Sequence, residues 1–249
     1  MKFAHLSCKG GTITVWAHKE LQDFWGPKTV LPGVVWAKPG SNCYVSGICL
    51  LRVCGHSNAV FESAVVTALK SSTSTVWQAA VCVSSQSTIT FRNSSFTLQQ
   101  DAVPLAIGDS GSSVLLEQCN IQDNGDSRRI RDGGTVYASG GVSVYEGNLT
   151  ILSSTVSGNS GVASAISAIQ GAHVTIHGTQ FTNNMAADGA AISAAGNSTV
   201  LIDGCTFTSN SALQLGGAIA AAGRARVLIS SAPGKCRNGD VTSVRCSTN

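Results

Sequence analysis

The sequence predicts an all-β protein built as a single-stranded parallel β-helix, a solenoid with about 25–27 residues in each coil. Three observations predict this fold: a phrase that occurs twice, a set of strands at a regular spacing, and a composition rich in small polar residues. The phrase FTNNMAADGAAI, residues 181–192, returns as FTSNSALQLGGAI, residues 207–219, and the second copy begins 26 residues after the first. Repetition at a period of this length is the signature of stacked structural repeats.

The composition favours strands and turns over helices. Charged residues make up 12% of the chain and aromatic residues 6%, and Gly occurs 27 times. A helical bundle would need more Leu, Glu, Lys and Arg, whereas Gly-rich turns suit an all-β protein or a solenoid. The net charge of +3 is modest and no basic run is flanked by aromatic residues. We therefore expect no nucleic-acid partner.

Six segments align as the first strand of successive coils. Their first inward apolar residues are separated by 25, 35, 25, 26 and 27 residues, so the period is near 26 with one insertion. Another apolar residue stands two positions further on in every segment, and this alternation predicts a short strand with one buried face. The first column is Ile89, Val114, Leu149, Val174, Val200 and Val227, and the second is Phe91, Leu116, Ile151, Ile176, Ile202 and Ile229.

The turn that follows these strands carries an amide side chain in each coil. Stacked parallel strands lie about 4.8 Å apart, so amides in one column can hydrogen-bond to one another along the axis. The sequence therefore predicts a structural ladder of amides. Its members are Gln99, Asn124, Asn159, Asn184 and Asn210.

The last repeat resembles a known family. It contains an FxxN motif followed by GGAI, and the earlier copy, which begins at Phe181, keeps FxxN but has DGAAI. The motif residues are Phe207, Asn210, Gly216, Gly217, Ala218 and Ile219. They resemble the repeats of chlamydial polymorphic outer-membrane proteins. This resemblance implies a right-handed parallel β-helix at a cell surface, often an autotransporter passenger with an adhesive role.

Three regions are expected along the chain. Residues 1–80 do not fit the period and are predicted to form irregular coils or a cap of the same solenoid. Residues 81–232 are predicted to form the regular β-helix. Pro233 and Gly234 disrupt the strand pattern, so residues 233–249 are expected to form a C-terminal cap or a truncated coil.

An enzymatic reading meets an obstacle in the outward column Arg92, Glu117, Leu152, His177 and Asp203. Glycoside hydrolysis needs two carboxyl groups separated by roughly 5–9.5 Å. Glu117 and Asp203 are three coils apart, or about 14 Å at the spacing of parallel strands. We therefore assign no catalytic residue, and we expect Arg92 with Glu117, and His177 with Asp203, to be solvated pairs.

No cofactor and no metal site are expected. His173 and His177 lie about 13 Å apart on an extended strand and cannot chelate one ion. A looser cluster favours buried thiols or a disulfide over zinc, and consists of Cys43, Cys49, Cys54 and His56. Cys119 and Cys205 share a small inward column, three coils apart, too far for a disulfide.

The charged insertion DNGDSRRIRDGG, residues 123–134, is the candidate binding site. Loops on a rigid scaffold often carry function, and this one could hold an acidic or sulfated glycan, or a metal ion. The alternative is a loop that is merely solvated. The candidate residues are Asp123, Asp126, Arg128, Arg129, Arg131 and Asp132.

The location is expected to be extracellular or at the cell surface. The first residues have no apolar run of a signal peptide, and no stretch of the sequence is long and apolar enough for a membrane span, so we expect a fragment of a larger exported protein. Asn-x-Ser/Thr sequons stand at Asn93, Asn148 and Asn197. About that many arise by chance in a chain rich in Ser and Thr, so they neither prove nor exclude secretion.

Together these observations favour a non-catalytic β-helix module with a structural or adhesive role. Its expected partners are cell-surface glycans or proteins. The alternative is a carbohydrate-active or glycan-binding β-helix protein that uses the loop 123–134, since β-helix enzymes that act on pectin-like sugars exist.

Overall fold

The computed structural model describes residues 36–37, 48–56, 58–67, 78–97, 103–125 and 140–230. Every regular element in these ranges is a β-strand, and none of them contains a helix. The strands form three long sheets and one two-stranded sheet. One coil passes in turn through sheets A, B and C, and neighbouring strands within each sheet run parallel. The predicted all-β parallel solenoid is confirmed.

The strand bounds follow the coils. Sheet A contains Trp36–Ala37, Ile48–Cys54, Gln78–Val83, Val103–Ile107, Val142–Tyr145, Ile166–Ile169, Ile192–Ala194 and Ile219–Ala221. Sheet B contains Asn58–Glu62, Thr88–Arg92, Ser113–Glu117, Asn148–Leu152, His173–His177, Thr199–Asp203 and Arg226–Ser230. Sheet C contains Val65–Thr67, Ser95–Thr97, Asn120–Gln122, Thr155–Ser157, Gln180–Thr182 and Thr206–Thr208. The two-stranded sheet pairs Met185–Asp188 with Ser211–Leu215.

Equivalent residues lie directly over one another in successive coils. In sheet B, Val174 is paired with Val200, and Val200 with Val227. Leu149 is paired with Val114 across the 35-residue step. The columns predicted from the period are therefore the columns of the folded chain.

Residues 48–67 form a further coil upstream. Ala59 is paired with Ile89 and Phe61 with Phe91, a step of 30 residues. These strands lie in the segment expected to hold irregular coils, and they are in register with the coils downstream. The predicted C-terminal cap, residues 233–249, lies outside the described residues.

The core lies inside the coils and is filled by the inward columns. Phe61 stacks on Phe91 with 4.8 Å between ring centroids, and Phe181 stacks on Phe207 with 5.0 Å. Burial of each large apolar side chain contributes roughly 1.5–3 kcal/mol. Phe207 is only half-buried, because it lies in the last described coil.

The repeat motif forms the entry to sheet A. Gly189 and Gly216 have φ angles of 52° and 75°, in the left-handed region that disfavours residues with a Cβ. A Cβ added to Gly216 would also lie 2.4 Å from the carbonyl oxygen of Ile219. Ala218 and Ile219 are fully buried, and Ile219 is paired with Ile192 in the preceding coil. The motif thus combines a tight turn with two core positions.

The corner between sheets B and C turns through a single residue in the left-handed region. A sharp change of direction in one residue needs such a conformation. The backbone N–H of each corner residue donates to the next coil, as Ser153 does to the carbonyl oxygen of His177 at 2.9 Å. The corner residues have φ between 47° and 59° and are Ser63, Asn93, Gln118, Ser153, Gly178 and Gly204.

The predicted amide ladder is present over four coils. Nδ2 of Asn124 donates to Oδ1 of Asn159 at 2.9 Å, and Asn159 donates likewise to Asn184 at 3.0 Å. Asn184 donates to Asn210 at 2.9 Å. The second hydrogen on each Nδ2 is donated to a backbone carbonyl, for example from Asn159 to Ile121 at 2.8 Å. Gln99, the fifth predicted member, lies outside the described residues.

Candidate functional site

Sheet B exposes three residues per strand on its outer side, because its strands are five residues long and alternate between core and solvent. We call these three columns the lateral face. The first column is Asn58, Thr88, Ser113, Asn148, His173, Thr199 and Arg226. The second is Val60, Thr90, Leu115, Thr150, Thr175, Leu201 and Leu228. The third is Glu62, Arg92, Glu117, Leu152, His177, Asp203 and Ser230.

The second column is uncharged throughout and partly apolar. Val60 is 62% exposed, Leu201 41% and Leu228 50%. These side chains alternate with threonines whose hydroxyl groups face solvent. The middle of the lateral face is therefore flat and able to make both hydroxyl and apolar contacts.

The third column begins with three charges that neutralise one another. Arg92 Nε lies 2.9 Å from Glu117 Oε2, and Arg92 Nη1 lies 3.6 Å from Glu62 Oε1. The predicted Arg92–Glu117 pair is confirmed. All three side chains are close to half exposed, so each pair contributes at most about 1 kcal/mol to stability. Glu62 was missed in the sequence because its coil stands 30 residues upstream instead of about 26.

The same column ends with a second polar group. His177 Nδ1 lies 2.8 Å from Asp203 Oδ2, as predicted, and Ser230 Oγ donates to Asp203 Oδ1 at 2.8 Å. Serine, histidine and aspartate form the triad of many hydrolases, but there the serine hydroxyl bonds to the imidazole. Here Ser230 donates to the carboxylate instead, so His177 does not activate it.

The hydrogen bond from Ser230, and next the one with His177, hold the pKa of Asp203 below its usual range. Both bonds favour the ionised carboxylate. An acid held in its charged form has no proton to donate to a leaving group, which argues against a general-acid role for Asp203 at neutral pH.

The carboxylates of the lateral face are poorly placed for hydrolysis. Glu117 and Asp203 are separated by three steps of the ladder, or about 14 Å, as predicted. Glu62 and Glu117 are two coils apart, and the guanidinium of Arg92 lies between them and contacts both. Within the described ranges no group of three or more His, Cys, Asp or Glu side chains could hold a metal ion.

The charged insertion leaves one coil and returns to it at a single point. A Cβ added to Gly125 would lie 3.2 Å from the Cα of Gly140, and the backbone of both glycines abuts Ser160. Asp123 is exposed at the corner before the insertion, with φ of 54°. The other candidate residues of the loop lie outside the described residues: Asp126, Arg128, Arg129, Arg131 and Asp132.

The cysteines divide into two groups. Cys54 and Cys82 are disulfide-bonded, which agrees with the preference for thiols or a disulfide over zinc at the N-terminal cluster. Cys119 and Cys205 are free and stand in the small inward column. In that column Cys119 Sγ donates to the carbonyl oxygen of Glu117 at 3.4 Å, and Cys205 Sγ to that of Asp203 at 3.3 Å. Cys43 lies outside the described residues.

A turn residue that the sequence analysis did not single out is Asp109. Its carboxylate accepts hydrogen bonds from the backbone N–H of Gly111 at 3.1 Å and from Ser112 Oγ at 2.8 Å. It also accepts from the backbone N–H groups of Ser85 and Gln86 in the preceding coil. The signal in the sequence is the short DSGS turn between two apolar runs, which is typical of a side chain that caps its own turn.

The family model described as right-handed beta helix region matches residues 46–231. The match covers well over half of the chain, and the chain therefore belongs to the right-handed β-helix family. The predicted handedness and fold are confirmed. The match identifies this fold family and not the narrower chlamydial repeat family. No curated protein and no solved structure is similar enough to count as a match.

The described ranges were also searched for membrane-spanning helices. None of their segments forms a helix that is long and apolar enough to cross a bilayer.

Proposed function

We propose that this chain is a non-catalytic structural or adhesive module of a cell-surface or secreted protein, and that it binds its partners through the lateral face. The observation that carries the proposal is the register of this face. Each coil presents the same kinds of side chain at the same place, from Asn58 to Ser230. A rigid array of equivalent positions suits adhesion, because many weak contacts add up when they are held together.

The distribution of charge supports a binding face more than a catalytic centre. In the third column Arg92 is paired with Glu62 and Glu117, and Asp203 is paired with His177. Catalytic acids are usually buried or held in environments that raise their pKa. Asp203 is exposed and its pKa is lowered.

Two further observations support an extracellular location. The FxxN and GGAI motifs resemble repeats of chlamydial polymorphic outer-membrane proteins, which are surface proteins. Cys54 and Cys82 are disulfide-bonded, and structural disulfides persist mainly in oxidising compartments. We expect cell-surface glycans or proteins as partners.

A panel of immobilised mucin, fibronectin, collagen and neutral, sialylated and sulfated glycans tests the proposal. Labelled full chain should bind at least one member. The double variant Thr150→Glu/Thr175→Glu, which places two charges in the second column, should bind that member roughly tenfold more weakly, a change of about 1.4 kcal/mol. The matched control Gln180→Glu/Thr206→Glu adds two charges to the exposed side of sheet C and should bind like the unaltered chain.

Two outcomes would count against the lateral face. The control pair on sheet C would lower binding as much as the lateral pair, or the lateral pair would leave binding unchanged. Circular dichroism and thermal unfolding of all three proteins establish that the substitutions leave the fold intact.

The second candidate function is glycan binding or carbohydrate chemistry at the charged insertion. The observation that favours it is the meeting of Gly125 and Gly140, which makes residues 126–139 a side loop on an otherwise continuous ladder. A loop anchored in this way can be elaborated without disturbing the stack. Its acidic and basic residues suit a polyuronate or a sulfated chain.

Incubation with polygalacturonate, alginate and heparin, with and without Ca²⁺, tests this second candidate. Unsaturated or reducing-end products that disappear in Asp126→Asn or Arg128→Ala would establish an enzyme and overturn the non-catalytic proposal. Binding without products, lost in Arg128→Ala and retained in Thr150→Glu/Thr175→Glu, would move the binding site from the lateral face to the insertion.

A further inference from the structure

The three sequons lie in different surroundings in the folded chain. Asn93 is exposed at the corner between sheets B and C, where its φ is 48°. Asn197 is exposed in the turn between sheets A and B, next to Gly196. Asn148 is half-buried at the start of the strand Asn148–Leu152. The sequence pattern treats the three as equal, and the fold does not.

Space around the two exposed asparagines is open. Asn93 lies between Ser63 and Gln118 in its corner column, and both of these side chains are exposed. Asn197 lies over Gly171, since Thr199 is paired with His173. A Cβ added to Gly171 would meet nothing within 4 Å. A bulky hydrophilic group attached at either asparagine can therefore extend into solvent.

Asn148 is held by its neighbours instead. Its Nδ2 lies 3.5 Å from the carbonyl oxygen of Ser112 and 3.4 Å from Ser113 Oγ. It is also stacked directly between Ser113 and His173 in the first column of the lateral face, each about 4.8 Å away. A sugar on this nitrogen would break both contacts and would cover the neighbouring coils.

We infer that Asn93 and Asn197 are N-linked glycosylation sites and that Asn148 is not. In the reaction, Nδ2 loses one hydrogen as a proton and forms a bond to the anomeric carbon of an oligosaccharide. The bond from that carbon to a lipid-linked diphosphate breaks, and the diphosphate leaves with the electron pair. The hydroxyl side chains that complete the two sequons are those of Ser95 and Thr199.

This inference rests on the secretion included in the proposed function and adds a consequence for the lateral face. Asn93 follows the end of one strand of sheet B, and Asn197 precedes the start of another, four coils further along. The two glycans therefore border the lateral face on opposite sides, about 19 Å apart along the axis. The second column between them stays free to bind.

The test is expression of the full chain, behind an added secretory leader, in a mammalian cell line. Released and cell-associated chain are both treated with peptide N-glycosidase in ¹⁸O water, which converts each glycosylated Asn to labelled Asp. Mass spectrometry should find the label on most molecules at Asn93 and at Asn197, and on few at Asn148. Ser95→Ala and Thr199→Ala should each remove one glycan from the intact mass, and Thr150→Ala should remove none.

Chain without label at Asn93 and Asn197 would overturn the inference, and so would label at Asn148 as abundant as at the other two. The outcome is separable from that of the proposed function. Chain that lacks glycans and still binds the panel through the lateral face would contradict only the glycosylation sites. Glycosylated chain that binds no member of the panel would contradict only the adhesive role.

Discussion

The side-chain nitrogen of Asn159 donates a hydrogen bond of 3.0 Å to the side-chain oxygen of Asn184 in the next coil, and both residues are at most 1% exposed. The same oxygen of Asn184 accepts from the backbone N–H of Asn159 at 3.1 Å. Each amide thus satisfies buried polar groups in its own coil and in the coils on either side. Because an unpaired buried polar group is costly, the ladder locks the stacking of one coil on the next.

Asn159→Ala should lower the free energy of unfolding by roughly 2–4 kcal/mol, because it leaves Nδ2 of Asn124 and Oδ1 of Asn184 without this partner in the core. Urea unfolding followed by circular dichroism measures the change. The control Asn197→Ala removes the same group from an exposed turn and should stay within about 0.5 kcal/mol of the unaltered chain. Equal costs at the two sites would contradict a structural role for the ladder.

Gly141→Ala should destabilise the protein, whereas Gly108→Ala should not. A Cβ at Gly141 would lie 2.0 Å from the carbonyl oxygen of Ala165, which is backbone and cannot move aside, and the nearest atom to a Cβ at Gly108 is Val83 O at 3.7 Å. Overpacking of this kind costs roughly 1–3 kcal/mol. The same unfolding measurement compares the two variants, and a neutral Gly141→Ala would show that the two coils are further apart than described.

Ser230→Ala should raise the pKa of Asp203 towards its ordinary value, because the hydroxyl of Ser230 is the largest cause of the lowered pKa. NMR titration of the Asp203 carboxyl carbon measures the shift directly. Ser230→Thr keeps a hydroxyl group and serves as the control. An unchanged titration in Ser230→Ala would mean that the hydrogen bond is absent in solution.

The lowered pKa of Asp203 also fixes the sign of its contribution to stability. The folded pKa lies below that of the unfolded chain, which is about 3.9, so the contribution is fully present above this value. It is lost as the pH falls through the folded pKa. The stability of Ser230→Ala should therefore depend less on pH below about pH 4 than that of the unaltered chain. Parallel acid unfolding curves would contradict this expectation.

Cys119 should react with iodoacetamide more slowly than Cys205, and both more slowly than in the unfolded chain. Burial raises the pKa of both thiols, so little of the reactive thiolate exists at neutral pH. Cys119 is 2% exposed and Cys205 is half-buried, so the reagent also reaches Cys119 less easily. Peptide mass spectrometry over a time course gives the rates, with denatured protein as the reference. Rapid labelling of native Cys119 would show that its coil opens.

Much of this architecture could be predicted from the sequence because parallel stacking repeats one environment in every coil. Val174 over Val200, and Asn159 over Asn184, follow from equal spacing alone, since residues in the same place on equal coils must meet. The coil at residues 48–67 was less accessible. Its step of 30 residues to the next coil departs from the period, and local alternation gives no measure of the length of the intervening turn.

The candidate sites depended more on tertiary structure. The charged pairs Arg92–Glu117 and His177–Asp203 were predicted, because their coils are separated by 25 and 26 residues. The contacts of Glu62 with Arg92 and of Ser230 with Asp203 were not, since both belong to end coils whose place in the column became clear only from the strand pairing.

By itself, the sequence determined the fold family, the inward columns and the amide ladder, because the alternation of apolar and polar residues dictates which side of a strand enters the core. Only the tertiary structure decided which outward groups touch and which asparagines have open space around them. Those properties depend on the coils above and below, and a residue's neighbours along the axis are set by coil lengths and corner geometry that no single segment encodes.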